Sequence, residues 1–97
     1  MFYITDSLDL RALEGAQLTM LVTNLEALKE LMRNEDIESR VTRSINAKAL
    51  SDLLGFEIKT GLKPLKKDEL KKGDQVLVLI AKLLPDRISA YLLLALM

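Results

Sequence analysis

Six consecutive apolar residues, Val76-Leu77-Val78-Leu79-Ile80-Ala81, set the strongest constraint on how this chain can fold. They follow a tight turn at Gly73-Asp74 and end before the breaker Pro85-Asp86-Arg87. A half-exposed strand alternates apolar and polar residues; an unbroken run fits a strand buried on both faces. Such a strand needs a sheet around it and cover above and below.

The flanking sequence offers both. Phe2-Tyr3-Ile4-Thr5 is a short β-type run, broken by Asp6-Ser7-Leu8-Asp9, and Leu18 to Val22 reads as a second strand. Thr23-x-x-Glu26 forms a capping box, behind which Leu25, Leu28, Leu31 and Met32 fall on one helical face. Ser39 to Thr42 reads as a strand. A second helix follows, with Ser44 or Asn46 as N-cap, an apolar stripe of Ala47, Leu50, Leu53 and Leu54, and Gly55 as its stop. Phe56 to Lys59 reads as another strand. The basic stretch to Lys72 holds room for one turn at Lys67 to Leu70, and Ile88 to Met97 forms a last strand or a short Leu-rich helix. Strands interleaved with helices predict one α/β domain over residues 1–97, a mixed sheet of about five strands flanked by two to three helices.

Composition removes whole classes of chemistry. The 97 residues include no histidine and no cysteine. The commonest general base near neutral pH, the strongest side-chain nucleophile and the ordinary zinc ligands are therefore missing. Fourteen Lys and Arg balance 14 Asp and Glu, so no global charge favours long nucleic acid or an anionic membrane. Zero cysteine fits a cytosolic protein. The first residues lack a basic leader, and the apolar tail is shorter than the about 20 residues of a membrane span. The chain reads as cytoplasmic.

Local clusters remain. The loop Thr5 to Asp9 follows a strand, where ligands of open α/β sheets gather. Arg43-Ser44-Ile45-Asn46 opens the second helix, and a helix start with its free N–H groups suits a phosphate. Lys82, Asp86 and Arg87 lie where the apolar strand emerges. Lys59 to Lys72 lacks the aromatic residues that would stack bases and reads as a solvated loop.

These stretches resemble one family. Phe2 to Leu10 is similar to its opening strand and loop, Arg43 to Gly55 to its central helix, and Gly73 to Val78 to the turn into its central strand. The family is the small domain of archaeal viruses and plasmids that includes the viral ring nucleases, the type III anti-CRISPR enzymes. The resemblance implies a homodimer with a five-stranded mixed sheet and a cyclic oligoadenylate across the interface. It also implies metal-independent cleavage, with no cofactor, in which a ribose 2′-hydroxyl attacks the phosphate and a histidine at the start of the central helix protonates the leaving oxygen.

Carried onto this chain, that histidine position is Arg43, and the family's ligand-contacting serine is Asp9. The arginine after the central strand falls on Leu83, or on Lys82 with a slip of one residue, and the glutamate on Asp86. Arginine does not release its proton near neutral pH. The favoured expectation is a domain that binds a cyclic oligonucleotide or similar phosphate ligand without cleaving it, through Ser7, Ser44, Asn46 and Arg43. The alternatives are a slow ring nuclease using Arg43 and Asp86 as catalytic residues, and a structural or interaction protein without ligand.

Overall fold

The computed structural model describes residues 1–61, 63–83, 85–86 and 88–97. Five strands form one sheet: β1 (Phe2–Thr5), β2 (Leu18–Leu21), β3 (Ile37–Arg40), β4 (Gln75–Leu83) and β5 (Ile88–Leu96). Two α-helices, α1 (Leu25–Met32) and α2 (Ser44–Leu54), and two 3-10 turns, Leu10–Leu13 and Lys67–Glu69, complete the chain. The strand order is β2-β5-β4-β1-β3. β1 runs parallel to both β3 and β4, whereas β5 runs antiparallel to β4 and β2. The expected α/β class and five-stranded mixed sheet are found.

β4 takes the central place its sequence demands. Leu77 enters a core with Phe2, Ile4, Leu28, Met32, Leu50 and Leu92, under α1 and α2. Its neighbours Val76 and Val78 point the other way, into a second core with Leu8, Ala12, Leu13, Leu65 and Ala95. The helices thus cover one face of the sheet, and the 3-10 turn after β1 with the segment around Leu65 covers the other. Full burial of one such side chain is worth about 1.5–3 kcal/mol, so both covers contribute.

Some local expectations are corrected, among them the strand expected at Ser39 to Thr42, which runs Ile37–Arg40. The cap of α1 is Asn24, not Thr23: the Asn24 side chain accepts the Ala27 N–H at 3.1 Å. Glu26 then sits one residue too early to close a capping box and pairs with Lys29 instead. The last strand is found as expected over Ile88–Leu96, and the helical alternative is not, because β4 offers it nine antiparallel partners.

Phe56 to Lys59 is not a strand of the sheet. Single bonds hold it: Ser51 Oγ accepts the Ile58 N–H at 2.8 Å, and the Ser39 hydroxyl donates to the Lys59 carbonyl. Side chains claim the groups a ladder would have used, and Ile58 is buried in the core as the anchor. The segment then passes close to β3, where the Gly61 N–H donates to the Val41 carbonyl at 2.7 Å.

That approach requires glycine. A Cβ at Gly61 would lie 2.7 Å from the Ser39 carbonyl oxygen, a backbone atom that cannot step aside. Gly61→Ala is expected to destabilise the fold by about 1–3 kcal/mol, measured by urea denaturation; an unchanged midpoint would mean that the segment is not held against β3.

Candidate functional site

Because β1, β3 and β4 are parallel, their carboxyl ends point the same way, with Thr5 level with both Arg40 and Val78. The Asp6–Asp9 loop leaves β1 there, and the chain leaves β3 there to enter α2. This is the end of an open α/β sheet where ligands collect.

Asp6 organises it. Its carboxylate accepts four hydrogen bonds: from the Thr42 N–H at 2.9 Å, the Thr42 hydroxyl at 3.1 Å, the Arg43 N–H at 3.2 Å and the Asn46 side-chain amide at 2.8 Å. Burial alone would push the Asp6 carboxyl up, but the bonds from Asn46, Thr42 and Arg43 outweigh it and hold it below its ordinary value. The carboxylate therefore stays ionised and ties β1 to the start of α2 across the sheet.

The start of α2 falls at Arg43, one residue before the expected Ser44 and three before Asn46. Arg43 occupies the N-cap position with extended backbone and makes no side-chain cap of its own. The first intrahelical bond runs from the Ala47 N–H to the Arg43 carbonyl at 3.0 Å. The backbone N–H groups of Ser44, Ile45 and Asn46 precede it and have no partner within the helix. Arg43 and Ser44 are exposed in this turn with Ile45 75% exposed beside them, and Ser7 is exposed next along the chain from the Asp6 that bonds the Arg43 N–H. Asn46 is half-buried with its amide turned to Asp6.

Asp9 has a different role. It caps the 3-10 turn by accepting the Arg11 N–H at 3.0 Å and pairs with the Arg11 guanidinium at 3.1 Å. The Arg11 backbone bond and then its side chain hold the Asp9 carboxyl below its usual range. Its negative charge thus has a cation two residues away. Ser7 and Asp9 line an open groove of about 430 Å³ that also presents Arg11, Lys66 and Lys67.

These three cations were not legible as site members. Lys66 and Lys67 belong to the stretch read as a solvated loop, and only the fold brings them beside Ser7. Arg40 fixes that segment: its guanidinium pairs with Glu69 and Glu38 and lies 5.9 Å from the Tyr3 ring centre. Glu69 in turn accepts the Lys66 N–H at 2.9 Å.

The remaining expected residues stand apart. Lys82 lies in β4 opposite Ser89, four residues past Val78. At roughly 3.3 Å per residue that is about 13 Å beyond the level of Thr5. Asp86 is exposed in the turn beyond the end of β4, farther still. Within one chain, Arg43 and Asp86 are not brought to a common point. Arg87 lies outside the described residues. Among the described residues, no group of three or more His, Cys, Asp or Glu side chains could hold a metal ion, and no helix is long and apolar enough to cross a membrane.

The Asp6 brace has a pH signature. A carboxyl whose folded value is lowered stabilises the fold above its unfolded value of about 3.9. That stabilisation disappears as pH falls through the lower folded value. Asp6→Ala is expected to cost about 1–2 kcal/mol at pH 7. The gap to wild type should narrow on acidification below about pH 4. Urea titrations at neutral and acid pH check this; an equal gap at both would show that ionisation is irrelevant to the brace.

Compared with models of known protein families and with curated proteins, the chain matches none, so the reading of this site rests on its own residues and geometry.

Proposed function

We propose that the chain is a non-catalytic relative of the ring nucleases that binds a phosphate-bearing ligand, a cyclic oligoadenylate or similar nucleotide, at the amino end of α2. The observation that carries this reading is the exposure of Arg43 and Ser44 in a first turn whose N–H groups precede the Ala47–Arg43 bond, with Ser7 exposed next along the chain from Asp6. Asp6 bonds the N–H groups of Thr42 and Arg43, just before that turn, and so braces the helix start without occupying the turn itself. Backbone N–H groups at a helix start and a guanidinium are both strong phosphate donors. By the resemblance, the ligand would lie across a homodimer and the setting would be the contest between virus and host.

Catalysis has less support. Arg43 stands where the family's leaving-group acid would be, and an arginine holds its proton far above neutral pH. Asp86 lies well along the β4–β5 hairpin, out of reach of its own Arg43. General acid–base help is worth about 10²–10⁴ in rate, so a chain without it binds more readily than it cleaves.

One observation favours a second reading, an interaction protein with no nucleotide ligand. The Asp6 carboxylate already places an anion beside the positive end of α2, and its charge opposes that of an incoming phosphate.

Labelled cyclic tetra-adenylate separates the readings. Expected are retention at micromolar protein, no linear product, and a loss of affinity of about tenfold or more in Arg43→Ala, as for one lost charge-assisted contact. No retention would leave the interaction protein. Linear products that vanish in Arg43→Ala would establish a nuclease.

A further inference from the structure

β2 is an edge strand, and it lacks the devices that edge strands usually carry. Its four residues, Leu18-Thr19-Met20-Leu21, are all exposed, with Leu18 at 49%, Met20 at 44% and Leu21 at 54%. No charged residue and no proline occurs between Glu14 and Glu26. Beside the strand, Met20, Val22, Ala27, Leu28 and Leu31 line an apolar cavity of about 180 Å³ under α1. Leu31, expected on the buried face of α1, is 43% exposed on its rim.

The backbone pattern selects the occupant. The Val22 N–H donates to the Leu92 carbonyl at 2.9 Å. Hydrogen-bonded pairs alternate along an antiparallel ladder. Leu18, Met20 and Val22 therefore direct their backbone groups at β5, while Thr19 and Leu21 direct theirs outward. Pairing β2 with β2 of a second copy, antiparallel and centred on Met20, sets Thr19 opposite the other copy's Leu21 and Leu21 opposite its Thr19. All outward N–H and C=O groups of Thr19 and Leu21 are then satisfied on both chains. The two Met20 side chains meet at the two-fold axis, on the sheet face that carries α1 and the apolar cavity. Identical edges with no charge to repel each other are self-complementary under a two-fold axis.

We infer that the β2 edge is a self-association surface through which two copies of this chain pair antiparallel about Met20, extending two five-stranded sheets into one of ten strands. A four-residue edge with the Leu31 rim falls short of the about 800 Å² per partner of a standard interface. The dimer is therefore expected to be a weak, reversible one.

This interface is independent of the proposed nucleotide site. It lies at the sheet edge opposite β3, and it leaves β1 and its copy seven strand spacings apart, roughly 34 Å. The pairing that would share one nucleotide between two chains is a different contact.

Sedimentation of the ligand-free protein from low micromolar to near-millimolar concentration tests the inference. Expected are reversible dimerisation in wild type and a dissociation constant raised about 100-fold or more in Met20→Lys, where like charges would meet at the axis. In wild type, hydrogen exchange at the Thr19 and Leu21 amides should slow as concentration rises, which reads the contact without any variant. A monomer throughout the range, or an assembly in which those two amides stay unprotected, would overturn it. Nucleotide binding is not measured in this experiment, so its failure and that of the proposed function are distinguishable.

Discussion

Everything in this fold hangs on Val76, Leu77 and Val78 of β4 being dry on both faces. Val76, Leu77 and Val78 are each no more than 2% exposed, and consecutive strand residues point to opposite sides. Neither cover alone suffices: removing the helices would expose Leu77, and removing the Leu8–Leu13 and Leu65 side would expose Val76 and Val78. The two cores therefore share one strand, and the short parallel β1 beside it inherits the same two-sided burial through Phe2 and Ile4 on one face and half-buried Tyr3 on the other.

Two-sided burial also places the candidate site. With both faces covered at the centre of the sheet, the strand ends and the sheet edges remain open. The carboxyl ends of β1 and β3 are joined there by one carboxylate, Asp6, which draws its donors from Thr42, Arg43 and Asn46. The same group that orders the helix start adds negative charge to it. That is the tension between the two functional readings: a braced cradle whose brace has the sign of the expected ligand. Lys66 and Lys67 line the neighbouring groove with Ser7 and reach it only through folding, while Arg11 there is paired with Asp9.

The elements of the fold were legible to different degrees. The β4 run and the Gly55 stop of α2 state their structures in their own residues, whereas the apolar stripes of the helices are buried only in part, with Leu31 and Leu53 exposed. The capping pattern at Thr23 was misleading by one residue because Asn24 is the better placed acceptor for Ala27 N–H, and a pattern cannot choose between adjacent capping types. Phe56 to Lys59 carries strand-like composition yet stays out of the ladder, because Ser51 and Ser39 hydroxyls take its backbone groups. In the candidate site, Ser7, Arg43 and Ser44 were legible as an exposed loop and helix start. The bonding role of Asp6 was not, since its partners lie 36 to 40 positions away.

The sequence by itself determined what is local: an apolar run that must lie inside a sheet, two helices with one oily face each, and a chemistry without histidine or cysteine. Tertiary structure alone decided which distant groups meet. Strand order set β2 at an unguarded edge, parallel pairing set Asp6 beside the start of α2, and the length of the β4–β5 hairpin carried Asp86 away from Arg43. The physical reason is that periodicity and capping act within a few residues, whereas pairing and burial act between segments whose separation along the chain leaves no trace in either one.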